Sequence, residues 1–492
     1  MSEHHITVAQ VEVDTRHFIG GERVASTETF TDVSPIDGSV LGEISRGTAM
    51  EAAAAVAAAK AAFPRWAATP RAERARLLHA IADGVEKRIE ELALVETTDN
   101  GALLRSHRRG VMPRVAHNFR FFADHLLELD HEDFTTRGHT NHVSWDPAGP
   151  CVLITPWNAP LMLATWKVAP ALAAGDTVVL KPAEWTPLTA SLLADIAAEA
   201  GLPAGVLNVV QGYGPEIGEP LTSHPDVRRI SFTGSVPTAR HIAASAAANL
   251  TPLSLELGGK SPLLVFADAD LDLAVDLAVE QYDNAGQVCL AATRILVEEP
   301  VAEEFTRRFT EKASRLIQGD PREESTDIGP NIHPRQLERI DGFVRRALAA
   351  GARAVLGGHR GEGQYYAPTL LTDVRQDSEI VQEEVFGPVL TLQTFTGEEE
   401  AVRLANGTRF GLAATVATGD AERARRVTAR LVAGTVWVNC FFVRDLRAPF
   451  GGSRHSGVGR EGGDWSFDFY CDVKNTVTAP NGFGGKGSGI HG

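Results

Sequence analysis

A regular alternation of short apolar runs with helix-length segments begins at residue 150 and most constrains the fold. This alternation is typical of βαβ crossovers, so it predicts a parallel, doubly wound sheet and an α/β fold. A second alternating set between residues 262 and 439 predicts a second α/β domain, and nucleotides bind at the carboxyl ends of such strands. The apolar runs of the first set are residues 151–155, 177–180, 206–210, 229–232 and 253–257.

The segments outside this alternation have their own patterns. Helical spacing of apolar residues predicts helices over residues 49–62, 71–98 and 108–129. Residues 130–146 are polar and rich in turn formers but too long for a bare loop, so we expect an extended β-arm there. A strand is expected over residues 472–477, followed by a flexible glycine-rich tail.

Length and charge narrow the class of protein. A chain of 492 residues is too long for one core, so two or three domains are expected. The net charge of −16 disfavours nucleic acids and anionic membranes as partners. Four widely spaced cysteines without a CxxC pair predict reduced thiols in the cytoplasm rather than disulfides or a zinc site. No signal peptide or long apolar run is evident, so no membrane segment is expected.

The stretch from Asn284 to Cys289 holds the candidate nucleophile. It lies where an apolar helical pattern ends and a strand-like run, residues 295–297, begins. A thiolate is a strong nucleophile where a cation or a helix N-terminus lowers the thiol pKa, whereas a buried cysteine otherwise behaves as a small hydrophobe. Taken alone, this stretch favours the structural interpretation of Cys289.

Two further residues suit acyl chemistry. Asn158 follows the first strand of the regular set, where its amide is placed to donate to a developing oxyanion. The alternative is a turn asparagine that binds its own backbone. Glu256 ends another strand, between two leucines and before Gly258 and Gly259. Burial there would raise the pKa of its carboxyl group and make it a general base.

The pair Lys181 and Glu184 follows the next strand and suits the ribose of an adenosine. An acidic group at this place selects against a 2′-phosphate, so NAD is favoured over NADP. In isolation, a surface ion pair explains the same two residues.

Two other segments suit a nucleotide less specifically. Gly234 and Ser235 stand in a strand, glycine turn and helix start, whose free backbone donors suit a pyrophosphate. Glu384 is placed to hold a second ribose and Phe386 to flank a flat ring, although a helix or loop edge accounts for both.

Together these segments resemble the NAD(P)-dependent aldehyde dehydrogenase superfamily, from about Phe18 to Thr478. The resemblance implies a Rossmann-like NAD-binding domain (18–128 and 148–256) and an α/β catalytic domain (257–448). It also implies a β-arm (129–147 and 465–480) that joins subunits into a homodimer or homotetramer, with flexible ends at 1–17 and 481–492. Order and spacing carry the resemblance, through Asn158, Lys181, Gly234, Glu256, Cys289, Glu384, Phe386 and the run from Pro449 to Gly452.

The resemblance also implies roles. Cys289 becomes the nucleophile, Asn158 the oxyanion donor and Glu256 the base, with Lys167 near the catalytic centre and no metal required. One departure is Ala239, where the family usually has a glycine, so the diphosphate contacts are less well specified than the ribose contacts. The residues implied for NAD are Thr155, Pro156, Trp157, Lys181, Ala183, Glu184, Gly214, Phe232, Gly234, Ser235, Leu257, Glu384 and Phe386.

The substrate class is suggested by arginines in residues 113–119 and 443–450. These segments resemble the branch that oxidises hydroxymuconic, carboxymethyl-hydroxymuconic and aminomuconic semialdehydes. A guanidinium binds a carboxylate bidentately, which suits such substrates. Interdomain salt bridges and an uncharged aldehyde are the alternative. A cysteine acyl transferase or thioesterase, or a binding protein without catalysis, is disfavoured by the cofactor residues. The implied substrate residues are Arg114, Trp166, Arg444, Arg447 and Phe450.

Overall fold

The computed structural model describes residues 4–129 and 132–480 of the chain. The tail predicted for residues 481–492 lies outside the described residues. Within the two described ranges, no helix is both long and apolar enough to span a bilayer.

Among the described residues, the first part of the chain contains four antiparallel strand pairs and five α-helices. In chain order the elements are β1 (His5–Val8), β2 (Val11–Asp14), β3 (His17–Ile19), β4 (Glu22–Val24), β5 (Thr29–Val33), β6 (Val40–Ser45), α1 (Ala49–Ala67), α2 (Arg71–Lys87), α3 (Ile89–Asn100), α4 (Leu104–Ser106), α5 (Met112–Glu128), β7 (Glu132–Thr136) and β8 (His139–Pro147).

The rest of the chain alternates strands with helices. The elements of the first alternating set are β9 (Pro150–Ile154), α6 (Pro160–Ala174), β10 (Thr177–Lys181), α7 (Leu188–Glu199), β11 (Leu207–Val209), α8 (Gly214–Thr222), β12 (Arg229–Gly234), α9 (Val236–Ala247) and β13 (Leu253–Leu257). The remaining elements are β14 (Pro262–Val265), α10 (Leu271–Val279), β15 (Arg294–Glu298), α11 (Ala302–Ala313), α12 (Pro334–Ala349), β16 (Arg353–Leu356), β17 (Thr369–Thr372), α13 (Glu379–Gln382), β18 (Val389–Phe395), α14 (Gly397–Ala405), β19 (Ala413–Ala417), α15 (Ala421–Thr428), β20 (Thr435–Val438), β21 (Gly457–Val458), α16 (Gly463–Tyr470) and β22 (Cys471–Thr478).

The predicted α/β fold is confirmed by two large sheets. The first has the order β21-β13-β12-β9-β10-β11-β3-β4, in which β9 to β13 run parallel and the edges are antiparallel. The second has the order β16-β17-β18-β15-β14-β19-β20 and is parallel except at β16. Helices cover these strands, which explains why their sequences are continuous apolar runs instead of alternating ones.

The predicted β-arm is a three-stranded antiparallel sheet of order β22-β8-β7. The second segment of the arm, predicted over residues 465–480, starts later than predicted, because residues 463–470 form α16. Phe467 and Tyr470 on this helix are each 1% exposed, so their burial against the main core holds α16 there. The arm segment therefore begins at Cys471 and not at residue 465.

The N-terminal segment also differs from expectation. Within the predicted flexible end, residues 1–17, the described part forms the β1–β2 hairpin, with His5 paired to Asp14. Val8 is 2% exposed and Val13 is fully buried, so apolar packing fixes this hairpin. The short alternation of apolar and polar residues there is a strand pattern.

The helices before the arm have interruptions that the periodicity does not predict. The predicted helix 71–98 is two helices that join at Arg88, and the predicted helix 108–129 begins as a π-helical turn, His107–Val111. A π-turn inserts an extra residue into a helix and is frequent at functional sites. Here its last residues line a cavity beside the first sheet.

Candidate active site

The loop that carries Cys289 is shaped by three consecutive left-handed residues. Asn284, Ala285 and Gly286 have φ values of 48°, 54° and 69°. A Cβ atom at Gly286 would lie 2.2 Å from the backbone oxygen of Gly387, so only glycine fits this approach. The chain reverses here after α10, and Cys289 is left partly exposed at the junction.

Asn158 is bound to this loop in both directions. Its Nδ2 donates to the backbone oxygen of Gln287 at 2.9 Å, and Asn284 Nδ2 donates to the backbone oxygen of Asn158 at 3.0 Å. An asparagine amide has two hydrogens, and Gln287 uses one of them. The side chain therefore reaches across to the nucleophile loop and keeps a second donor for a ligand.

Glu256 lies at the end of β13 and is 5% exposed. Neither of its carboxylate oxygens has a hydrogen-bond partner among the described residues. Burial raises the pKa of this carboxyl group well above its usual range, and Glu461 raises it further, whereas Lys167 and Arg444 lower it. A buried, unpaired carboxyl group of this kind suits a general base.

Lys167 does not contact Glu256 directly but forms a buried ion pair with Glu461. The Nζ atom lies 2.7 Å from Glu461 Oε1 and 2.8 Å from Ser231 Oγ. Ser254 also donates to the same Glu461 oxygen, at 3.2 Å. Glu461 was not among the predicted residues, although it precedes Gly462 and Gly463 much as Glu256 precedes a glycine pair.

The environment of Cys289 keeps its sulfur protonated in this arrangement. Burial, the largest cause, together with the charges of Glu384 and Glu256 raises the pKa of the thiol to about 12. Arg444 and the Leu290 backbone N–H act in the opposite direction. Because the thiolate is the nucleophile, a neighbouring base has to accept the thiol proton before attack.

The residues implied for a nucleotide gather at one edge of the first sheet. Ile154 pairs with Lys181 and with Phe232, so β9, β10 and β12 end side by side. This edge is where α/β sheets bind nucleotides. The implied residues are Thr155, Pro156 and Trp157 after β9, Lys181, Ala183 and Glu184 at the end of β10, Gly214 at the start of α8, Phe232, Gly234 and Ser235 at the end of β12, and Leu257 at the end of β13.

Lys181 and Glu184 form one polar pair at this edge. Lys181 is 2% exposed, its Nζ donates to the Pro182 oxygen at 2.8 Å, and it lies 3.6 Å from Glu184 Oε2. Burial lowers the pKa of the Lys181 ammonium, and Glu184 opposes that change. The Glu184 side chain remains 29% exposed and can accept hydrogen bonds from a ligand.

Glu384 and Phe386 reach the same edge from the second sheet. Glu384 Oε1 accepts from the Gly259 backbone N–H at 3.0 Å. Phe386 has a left-handed φ of 58°, and Gln336 Nε2 donates to its oxygen at 2.6 Å. The ring of Phe386 stands perpendicular to that of Trp157 at 5.2 Å between centroids. The two segments therefore close over the sheet edge.

The residues present fit a dinucleotide. A Cβ at Gly258 would lie 1.9 Å from Glu384 Oε2, so a larger residue at this position would clash with the Glu384 carboxylate. Burial raises the pKa of Glu384 to about 7, although the Gly259 N–H, Arg339 and Lys260 oppose this change. Ala239 is 1% exposed and packs in the core beneath α9, which accommodates its methyl group.

A cavity of about 570 Å³ opens beside this site, between α5, α6 and the loop after β20. Its lining includes four arginines, and none of the described residues that line it is an aspartate or glutamate. Trp166 and Phe442 form an apolar part of the wall. Because its charged lining residues are all arginines, the cavity is cationic. These arginines are Arg105, Arg109, Arg114 and Arg444.

Two of the four arginines are already paired. Arg105 donates to Asp327 at 3.2 Å and to the backbone oxygen of Glu324, and Arg109 lies 2.5 Å from Glu324 Oε1. Their charge is thus partly neutralised by the loop around residue 324. They form the outer part of the cavity and are poor candidates for binding a ligand carboxylate.

The other two arginines have no carboxylate within ion-pair distance among the described residues. Arg114 Nε donates to Asn118 Oδ1 at 3.2 Å. The Arg444 guanidinium lies 3.6 Å above the centroid of Phe450 and 5.0 Å from that of Trp166, and its Nη2 is buried without a hydrogen-bond partner. Phe450 and Trp166 thus support Arg444 by cation–π contact.

Arg447, which the sequence predicts for the substrate, lies outside the cavity. Its side chain is 77% exposed and its guanidinium binds Asp445 at 2.5 Å. The Arg447 backbone N–H also donates to Asp445, at 2.9 Å, which turns this part of the loop toward solvent. The structure therefore brings Arg444, and not Arg447, to the site.

Comparison with known proteins gives consistent matches over most of the chain. The Aldehyde dehydrogenase family matches residues 23–476. The chain is 44% identical to the 2-hydroxymuconic semialdehyde dehydrogenase of Pseudomonas sp. strain CF600, over 94% of this chain and 99% of that protein. It is 42% identical to the 2-aminomuconic semialdehyde dehydrogenase of Danio rerio, over 94% and 97%. The crystal structure of betaine aldehyde dehydrogenase from Staphylococcus aureus with NAD+ superposes with a TM-score of 0.93 at 37% identity, covering 95% and 96%.

Proposed function

The chain belongs to the aldehyde dehydrogenase family, and from this premise we propose that it oxidises a carboxylated semialdehyde of the muconic type with NAD. The product is the corresponding acid. The observation that carries the proposal is the cationic cavity, in which neither Arg114 nor Arg444 has a carboxylate within ion-pair distance among the described residues. The semialdehyde dehydrogenases to which the chain is similar support the same substrate class.

The first chemical step is attack by Cys289 on the aldehyde carbon. A solvent base beside the partly exposed sulfur takes the thiol proton, the sulfur–carbon bond forms, and the carbonyl π bond breaks so that its electrons make the oxygen an oxyanion. In this proposal the oxyanion is bound by the second amide hydrogen of Asn158, whose first hydrogen bonds the Gln287 oxygen, and by the Cys289 backbone N–H, as the family resemblance implies. Loss of one such donor typically costs about 2.7–4 kcal/mol. Asn158 would stabilise the oxyanion effectively because its hydrogen bond to the Gln287 oxygen fixes the orientation of its amide.

Bound NAD would supply the hydride acceptor that turns the cysteine adduct into a thioester. In this proposal Lys181 and Glu184, which lie 3.6 Å apart, would hold the adenosine ribose, Glu384 would hold the second ribose, and Phe386 would flank the ring. Water then attacks the thioester carbon, Glu256 takes a proton from that water, the carbon–sulfur bond breaks to leave the thiolate of Cys289, and the acid is released.

The carboxylate preference follows from desolvation. A buried guanidinium with an unused donor is costly, and a ligand carboxylate would satisfy it through charge-assisted hydrogen bonds. Such bonds contribute about 1.5–3 kcal/mol each, which corresponds to a factor of roughly 10 to 150 in binding. A neutral aldehyde gains none of this free energy. The apolar wall of Met162, Leu163 and Trp166 favours the second candidate substrate, an uncharged aldehyde.

Replacing Arg114 by Ala tests the two candidates. We expect the KM for a muconic-type semialdehyde to rise about 10- to 100-fold, because charge-assisted bonds are lost, whereas the KM for a neutral aldehyde changes less than about twofold. Initial rates of NADH formation at varied substrate concentration measure both. Arg447→Ala, on the same surface but outside the cavity, is the matched control and should leave both constants unchanged. An equal rise for both substrates would remove the carboxylate role.

Cofactor choice is testable at Glu184. We expect the wild-type protein to use NAD with a kcat/KM well above that for NADP, since a 2′-phosphate would face the Glu184 carboxylate. In Glu184→Ala, the ratio of kcat/KM for NAD to that for NADP should fall about tenfold. The reason is that repulsion between the Glu184 carboxylate and a 2′-phosphate costs on the order of 1.4 kcal/mol or more. Glu199→Ala, an exposed carboxylate on α7, is the control. Equal use of both cofactors by the wild type would contradict the NAD assignment.

Assembly is the last part of the proposal. Residues 472–478 of β22 are exposed along their length, including Val473 and Val477 at 55% and 56%. An exposed strand at the edge of a sheet readily pairs with another chain. We infer that the three-stranded arm joins subunits in a homodimer or homotetramer, as the family resemblance implies.

A further inference from the structure

Asn118 links the two helices that carry the proposed carboxylate and oxyanion sites. It lies one turn after Arg114 on α5 and is fully buried. Its Oδ1 accepts from Arg114 Nε at 3.2 Å, and its Nδ2 donates to Thr165 Oγ1 at 3.1 Å and to the Met162 oxygen at 3.3 Å. Thr165 and Met162 are both on α6.

The direction of these hydrogen bonds is fixed. The Thr165 hydroxyl donates its hydrogen to the Met162 oxygen at 3.2 Å, so it can only accept from Asn118. The amide nitrogen of Asn118 must therefore face α6, and its oxygen must face Arg114. With Nε used in this way, the two Nη groups of Arg114 remain for a bidentate carboxylate.

The aldehyde end of the substrate would be bound by Asn158, whose position depends on α6. This helix begins at Pro160, two residues after Asn158, whose amide is fixed to the nucleophile loop. Asn118 thereby connects the guanidinium that would bind the carboxylate with the element that places the oxyanion donor. A displacement of about 1 Å between such groups can change a rate about 100-fold.

We propose that Asn118 is a positioning residue that fixes the distance between Arg114 and the Asn158 amide, and thereby selects semialdehydes by the number of carbons between carboxylate and aldehyde. This inference rests on the proposed function of the cavity. It assigns to Asn118 the length preference of the enzyme, whereas Arg114 itself gives the preference for a charged substrate.

Asn118→Ala tests the inference with a series of ω-carboxyl aldehydes that differ by one methylene each. The wild type should prefer one length by at least about tenfold in kcat/KM, since a misplaced reacting group is costly. The variant should lose most of that length preference, and its KM for the best substrate should rise about tenfold. Its kcat and KM for neutral aldehydes of matching length should stay within about twofold of the wild-type values.

Variants at Thr165 keep the test decisive if Asn118→Ala folds poorly. Thr165→Val removes the acceptor for Asn118 but leaves the Arg114 contact, so the length preference should weaken. Thr165→Ser retains the hydroxyl and should keep it. Thermal unfolding and NADH binding confirm that each variant is folded.

The two hypotheses fail in different ways. If Arg114→Ala loses the charge preference while the Asn118 and Thr165→Val variants keep a sharp length preference, the positioning role is wrong and the proposed function stands. If Arg114→Ala has no selective effect, the proposed carboxylate site itself is wrong. A length preference that disappears together with activity toward neutral aldehydes would indicate a structural role for Asn118 and also overturn the inference.

Discussion

Cys289→Ser is expected to reduce kcat by about four orders of magnitude or more, as removal of a covalent nucleophile does in other enzymes. The serine hydroxyl has nearly the volume of the thiol, so the loop around Gly286 and Asn158 should keep its geometry. The hydroxyl is a far weaker nucleophile than the thiolate at neutral pH. NADH formation from a semialdehyde measures the loss, and calorimetric titration with NAD should give an unchanged affinity.

Cys440 provides the matched control, because it is a second partly exposed cysteine and packs in the same core as Cys289. Cys440→Ser should retain kcat within about twofold, as most substitutions away from reacting atoms do. If the Cys289 variant kept more than about a hundredth of the wild-type rate, or if only the Cys440 variant were inactive, the assignment of the nucleophile would be wrong.

Glu256→Gln should separate the two halves of the reaction. Gln keeps the size of the side chain but cannot accept a proton from the water that attacks the thioester. We expect one equivalent of NADH per active site in a rapid burst, followed by turnover slowed by about 100- to 10,000-fold, the usual contribution of a general base. Rapid mixing measures the burst, and mass spectrometry of the quenched protein should detect the acyl group on Cys289.

The pH dependence gives an independent check of the same residue. The pKa of Glu256 is raised by burial and by Glu461, so its ionised, basic form is lost as pH falls through that raised value. Wild-type steady-state rates should therefore decline on the acid side, whereas the slow turnover of Glu256→Gln should lack that decline. A variant without any burst would show that Glu256 is required already for the attack by Cys289.

The parts of this site that follow strands could be predicted from the sequence. Asn158, Lys181 and Glu256 each stand within a few residues of the end of a continuous apolar run, and parallel strands bring such ends to one edge. The α/β architecture was predictable for the same reason. Local sequence is enough here because the periodicity of the strands fixes which residues lie at their carboxyl ends.

Residues that act through contacts between distant segments could not be found in this way. Glu461 reaches Lys167 across 294 positions, and Asn118 reaches Met162 and Thr165 on another helix. The helical periodicity around Asn118 predicts α5, but it does not show which residues of another helix the side chain contacts. Such roles depend on tertiary packing, which places α5 against α6 and returns the segment after residue 450 to the first sheet.

Arg444 and Arg447 show the same limit over a distance of three residues. Both belong to one irregular loop, which includes Phe442 with a left-handed φ of 59°. The cation–π contact with Phe450 holds Arg444 inside, and the pairing with Asp445 holds Arg447 outside. A loop has no fixed side-chain period, so nothing in the sequence distinguishes the two arginines.

The unpaired polar atoms of the site have a consequence for how long the protein survives in a cell. Both oxygens of Glu256, one oxygen of Glu461 and Arg444 Nη2 are buried without hydrogen-bond partners within the described chain. Each such group costs about 1–3 kcal/mol of folding free energy, and ligands that bind only the folded state restore stability by mass action. Proteases cleave the transiently unfolded chain, so its lifetime should lengthen when cofactor and aldehyde substrate are plentiful. Ligand binding alone would then make the abundance of the enzyme rise with the supply of its substrate.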